Sequence, residues 1–158
     1  MLVTLRLDFC NALYIGLPLC LVRKLQLVQN MSARLVASTS RGVRITPVLK
    51  SLHWLPISFW AKYKVLVITF KALHGLDPGY LRDRLLPYNP PCTLRSSGKN
   101  LLQSVKTRLT SITQRTFSSA APRLWNGLPE EVRQLDSLLA FKKAIKPDLF
   151  WQAYPVEF

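Results

Sequence analysis

From Leu19 to Ala37 the apolar residues Leu21, Val22, Leu25, Val28, Leu35 and Val36 recur mostly three or four positions apart. That spacing puts them on one side of an α-helix. Arg23, Lys24 and Arg34 fall mainly off this stripe. A second stripe, Tyr63, Leu66, Val67, Phe70 and Leu73, predicts a long helix capped by Ser58, running to His74 and stopped by Gly75. Lys64, Lys71 and Lys62 project elsewhere. Upstream, Leu2 to Tyr14 reads as a helix, with Gly16 at its stop and Pro18 in the first turn of the next. The uncharged run Phe9 to Val22 is too short to span a bilayer. Asp8 ahead of it and Gly16-Leu17-Pro18 within it fit two helices meeting at a turn better than a targeting segment.

Between the stripes, residues 38–44 (STSRGVR) form a polar, basic loop. Thr46-Pro47 caps and begins a short helix over Val48 to His53, and Pro56 ends it. Asp77-Pro78 repeats the cap-then-proline pattern and opens a short helix through Leu86. Residues 87–100 are rich in Pro, Ser and Asn and read as a loop. Leu101 to Ile112 mixes apolar and β-branched residues and reads as extended or a hairpin. Thr116 to Trp125 is helical but broken by Pro122. Pro129-Glu130-Glu131 starts another helix, its acids at the positive end. Asp136 caps a last helix through Ile145, which Pro147 ends or kinks. The expected fold is therefore mainly α: a bundle of about six to eight short helices with a small β-hairpin near residues 100–112. Residues 1–86, 87–115 and 116–158 are its successive regions, packed as one compact unit.

Charge changes the picture most. The chain of 158 residues has 22 Lys and Arg against 8 Asp and Glu, a net charge of +14. Apolar residues make up 49 %, too many for a disordered chain. So large a positive charge on a small domain points to a polyanionic partner, with an inert basic surface as the plain alternative. Basic residues outnumber acids seven to one in residues 1–50, five to two in 51–88 and six to none in 89–128. Residues 129–158 carry four against five. The acid-free segment is the candidate phosphate-facing region, through Arg95, Lys99, Lys106, Arg108, Arg115 and Arg123.

Candidate chemistry is sparse. Cys10, Cys20 and Cys92 are odd in number and widely spaced, which disfavours a zinc site and fits a reducing, intracellular compartment, nuclear or cytoplasmic. Glu130 and Glu131 are adjacent, but consecutive helical positions point about 100° apart and make a poor two-metal site. No phosphate-binding loop or hydrolase motif occurs. His53, in SLHWLPI (51–57), has no nucleophile or metal partner beside it in the sequence, and His74 suits a helix C-terminus, where it can cap carbonyls. Trp54 and Pro56 read as a packed corner between two helices, and Trp125 as a structural ring. The basic residues interleave with Trp54, Phe59, Trp60, Tyr63, Tyr88 and Trp125, and aromatic rings can stack on unpaired bases for roughly 1–3 kcal/mol each. Helical spacing assigns Tyr63 and Phe70 to the core and leaves Trp60 as the best candidate for an exposed ring. No cofactor, small-molecule substrate or membrane is expected.

Seven stretches in order carry a family resemblance: LDFCNALYIGLP (7–18), LQLVQNMSARLV (25–36), ITPVLKSLHWLPI (45–57), FKALHGLDPGYL (70–81), LRSS (94–97), FSSAAPRLWNGLPEEVR (117–133) and SLLAFKKAIKPDLF (137–150). Together they resemble the C-terminal, post-palm region of reverse transcriptases of LINE-type, non-LTR retrotransposons, on the jockey-like branch. The sequence departs from that pattern at Trp60, at Thr113-Gln114 and at Pro147. The resemblance implies a thumb-like module that contacts RNA template and primer duplex, or closes a polymerase palm around them. It implies no catalytic residue in this chain, because the family's metal-binding Asp-Asp belongs to the palm and no Asp-Asp pair occurs here. The expectation is sequence-independent, salt-sensitive binding of RNA or DNA, with the palm as a second partner. The alternatives are a protein-interaction module, or an element-derived reading frame with no biochemical function of its own. Leu2 to Leu19 is the expected orphan apolar surface.

Overall fold

The computed structural model describes residues 7–89, 100–104 and 116–155. The expected mainly helical fold is found. After a single 3-10 turn at Asn11–Tyr14 come α1 (Leu19–Val36), α2 (Ile45–Ser51), α3 (Ile57–Leu73), α4 (Gly79–Arg82), α5 (Phe117–Asn126), α6 (Glu130–Arg133) and α7 (Leu138–Ala153). The chain forms two compact units, one of residues 1–62 and 147–158, the other of residues 63–146.

Three helices end in the same way. At the ends of α1, α2 and α3, Ser38, His53 and Gly75 adopt positive φ (50°, 54° and 69°). The next residue returns its N–H to a carbonyl of the last turn: Thr39 to Arg34 at 3.0 Å, Trp54 to Leu49 at 3.0 Å, Leu76 to Lys71 at 2.8 Å. This Schellman closure satisfies carbonyls that a helix end otherwise leaves open. Glycine is the usual residue there because a Cβ disfavours left-handed backbone. His53 therefore has a backbone reason for its place.

In the first unit, Ala33, Val48, Leu49 and Tyr154 form a buried cluster, with Ile45, Leu52, Trp54 and Phe150 packed on it. The side of α1 that faces inward is mixed, with Ala33 and the half-buried Val22 and Leu25 beside polar residues. Gln29 is fully buried and Ser32 nearly so. Gln29 Nε2 donates to Leu55 O at 2.9 Å, and Ile57 N donates to Gln26 Oε1 at 3.0 Å. Gln26 Nε2 in turn donates to Gln29 Oε1 at 2.8 Å. The start of α3 is thus capped by a side chain of α1, not by Ser58. Most of the sequence stripe on α1 does not form core: Val22 and Leu25 are half-buried, while Leu21, Val28, Leu35 and Val36 are exposed.

In the second unit, α3 from Tyr63 onward is buried on more than one side: Val65, Leu66, Val67, Thr69, Phe70 and Ala72 are all inside. Phe141 of α7 stacks on Phe70 with centroids 4.5 Å apart and meets Trp125 of α5 at 5.7 Å. Trp125 Nε1 donates to Asn100 O at 2.7 Å, and the Asn126 amide both accepts from Leu102 N and donates to Leu102 O. Leu102 forms an antiparallel bridge with Pro87. The strand pairing near residue 100 therefore runs back to Pro87, and the rest of the expected hairpin, like Cys92, lies outside the described residues.

Several local expectations are corrected. The first helix does not run on to Tyr14, because Cys10 turns left-handed (φ 53°) before the 3-10 turn. The helix expected over Val48 to His53 begins earlier, at Ile45, with no side-chain cap from Thr46. The helix after Asp77-Pro78 ends at Arg82, and Asp77 pairs with Lys71 at 3.4 Å rather than capping it. Pro122 lies inside α5 and Pro147 inside α7 without ending either. Each proline removes one helical hydrogen bond. Pro122 offsets that by full burial of its ring, and Ile145 and Leu149, on either side of Pro147, are both buried.

Replacing Gln29 by Ala should lower unfolding free energy by about 2–3 kcal/mol, since it strands a buried carbonyl and leaves a void. Met31→Ser, on the exposed side of α1, should cost no more than about 0.5 kcal/mol. Urea unfolding of both variants checks the pair. His53→Gly should change stability by less than about 1 kcal/mol in the same assay, because relief of the left-handed backbone is set against loss of the ring contact with Phe150.

Candidate nucleic-acid interface

Of the six phosphate-facing candidates, Arg95, Lys99, Lys106, Arg108 and Arg115 lie outside the described residues. Arg123 is on α5 and exposed, two positions from Trp125, whose ring is 1 % exposed. The Pro87–Leu102 bridge holds the two ends of the stretch carrying Arg95 and Lys99.

A larger group of cations lies in the first unit. No acid occurs between Asp8 and Asp77, and that run carries nine Lys and Arg, seven of them in the first unit. Arg23 and Lys24 are exposed on α1, and Arg41 and Arg44 are exposed in the loop of residues 38–44. That loop is tied to α1: Arg34 Nη2 donates to Val43 O at 3.2 Å, and Thr39 N donates to Arg34 O. Arg34 thus works as a structural brace, which leaves Arg41 and Arg44 presented to solvent. Lys50 lies 5.7 Å from the Tyr154 ring centroid and Lys62 lies 4.3 Å from that of Phe59, both cation–π contacts.

The aromatic candidates divide differently from expectation. Trp54, Phe59, Trp60 and Tyr63 are half-buried, and Tyr88 is exposed. Trp60 is therefore not the open ring. Tyr80 at 67 % and Trp151 at 60 % are more exposed than any aromatic singled out from the sequence. Trp151 stands edge-on to Phe150 with centroids 6.4 Å apart. Neither has a stripe or motif that marks it in the sequence.

The two histidines sit at helix ends. His53 stacks on Phe150 with centroids 6.0 Å apart, and its Nδ1 lies 3.3 Å from Ser51 O. His74 stacks on Phe70 at 3.9 Å, with Nδ1 2.9 Å from Phe70 O, the capping contact expected of it. Among the described residues, no three His, Cys, Asp or Glu are grouped to hold a metal ion, and no helix is long and apolar enough to cross a membrane. Trp54 packs at the corner between α2 and α3, and its carbonyl accepts from Tyr154 Oη at 2.8 Å. Burial pushes the Tyr154 phenol from its usual 10.0 up to about 12. No family model, curated protein or solved structure matches the chain.

Because the folded-state value of Tyr154 is raised, its contribution to stability is complete below about pH 10 and is lost as pH rises through about 12. Deprotonation removes the proton donated to Trp54 O. Tyr154→Phe should cost about 1 kcal/mol at neutral pH and flatten the alkaline fall, as read by urea unfolding between pH 8 and 12.

Proposed function

We propose that this chain is a catalytically inactive C-terminal, thumb-like region of a LINE-type reverse transcriptase, which binds RNA or DNA without sequence preference. The parent activity is that of an RNA-directed DNA polymerase working inside the cell, in the nucleus or cytoplasm. The observation that carries the binding reading is the exposure of Arg23, Lys24, Arg41 and Arg44 within a run that has no acid from Phe9 to Leu76. Exposed cations can displace counterions from phosphate, the main source of affinity in sequence-independent binding. Arg123 and the five candidates outside the described residues extend the same basic character.

A second reading rests on a separate observation. Leu27, Met31 and Leu35 of α1 are 60 %, 62 % and 81 % exposed, and they succeed one another at one-turn spacing. An apolar row of this kind on a charged domain marks a protein-contact surface. The polymerase palm is the partner the family resemblance supplies. The orphan surface expected at Leu2 to Leu19 would then continue along α1, since Phe9, Leu13 and Leu19 are also exposed.

Gel-shift titration of the whole chain with unlabelled-sequence RNA and DNA duplexes should give binding that weakens linearly in log–log salt, by about 0.9 per phosphate neutralised. The double variant Arg41→Gln, Arg44→Gln should reduce the magnitude of that slope by about 1.8 with the helical circular dichroism unchanged. No shift at low salt, or an unchanged slope in the folded variant, contradicts the reading.

A further inference from the structure

The exposed side of α1 carries more than its apolar row. Leu27, Met31 and Leu35 follow one another at one-turn spacing and all face solvent. From first to last the row is about 12 Å long. Arg23 and Lys24 lie four and three positions before Leu27, so they share its side of the helix, and both are exposed. At the other end, the loop of residues 38–44 is bonded back to the last turn of α1 through Arg34, and Arg41 and Arg44 stand exposed in it. Cations therefore mark both ends of the row. The N-terminus of α1 adds to the first pair: no side chain caps it, and its first turn holds no acid. The open N–H groups of that turn carry partial positive charge.

We propose that this side of α1 docks an amphipathic helix of a partner protein, one whose apolar stripe is edged at both ends by Asp or Glu. The proposal rests on the row being a protein-contact surface and does not depend on nucleic-acid binding. A straight ridge at one-turn spacing fits the groove of a second helix at an axis separation of about 8–10 Å, and the apolar stripe of an amphipathic helix supplies that groove. Charge selects the partner's edges. Carboxylates at the two ends would meet Arg23 and Lys24 beside the uncapped N-terminus, and Arg41 and Arg44 beyond the last turn. A second copy of this chain fits poorly, because in either direction two such faces set cations against cations on a chain of net charge +14. A lipid surface fits poorly as well: α1 has no aromatic residue to seat it among headgroups.

Fluorescence anisotropy of a labelled synthetic helix with a leucine stripe and glutamate edges, titrated with the full chain at about 0.15 M salt, tests this. Saturable binding is expected. The same stripe edged by lysine, and polyglutamate of equal charge without a stripe, should each bind at least about tenfold more weakly. The triple variant Leu27→Ser, Met31→Ser, Leu35→Ser, with unchanged circular dichroism, should lose at least about tenfold in affinity for the glutamate-edged helix. Arg23→Gln with Lys24→Gln should weaken it several-fold and flatten its salt dependence. Polyglutamate matching the helix would reduce the face to a plain basic surface and overturn the proposal. Equal binding of the lysine-edged helix would overturn the acidic partner alone, whereas a folded triple variant that keeps full affinity would overturn the protein-contact reading of the row with it. Failure to bind the glutamate-edged helix, accompanied by dimerisation of the chain or by binding to vesicles of phosphatidylserine and phosphatidylcholine, would give the face to a second copy or to lipid instead. The comparison of the three peptides on the wild-type chain decides the matter if the triple variant does not fold.

Discussion

Two glutamine side chains determine which side of α1 faces the interior. Gln29 is fully buried and donates to the carbonyl of Leu55, and Gln26 accepts from the N–H of Ile57. These are the backbone groups of a tight corner where a Schellman turn at His53 leads through Pro56 into α3. A buried carbonyl or N–H without a partner costs about 1–3 kcal/mol, comparable to burying a leucine side chain. Meeting both demands from one helix face therefore competes on equal terms with burying that helix's apolar residues. The side of α1 that carries Gln29, Ser32 and Ala33 goes in, and Leu27, Met31 and Leu35 go out.

That constraint explains where the sequence could be read and where it could not. Periodicity located α1 and α3 to within a residue or two, and Gly75, His74 and the corner at Trp54 had local signatures. The apolar stripe on α1 showed which residues share a side of the helix, but not whether this chain covers that side. Only the long-range bonds from Gln26 and Gln29, spanning 31 and 26 positions, decide it. Pro122 and Pro147 were misleading for a related reason. A proline's local cost is fixed, but the burial that offsets it comes from residues distant in sequence. His53 has no nucleophile or metal partner beside it in the sequence, but its left-handed backbone is invisible in a one-dimensional reading.

Of the candidate site, the excess of positive charge could be read along the chain, but not which cations the fold exposes. Net charge pointed to a polyanion, and Arg123 is exposed as expected. The exposure of Arg23, Lys24, Arg41 and Arg44 is a property of the fold that no local pattern marks. The exposed cations of the first unit and the apolar row on α1 are different residues.

Thiol labelling on a cysteine-free background tests the orientation of α1 most directly. Single cysteines at 29 and 33 are compared with single cysteines at 31 and 35, under native conditions and in urea. The account predicts labelling at 31 and 35 close to the rate of the unfolded chain, and protection at 29 and 33 by about 100-fold or more, set by the free energy of opening. Fast labelling at 29 and 33 with protection at 31 and 35 would mean that the apolar side of α1 is the buried one, and would contradict the account.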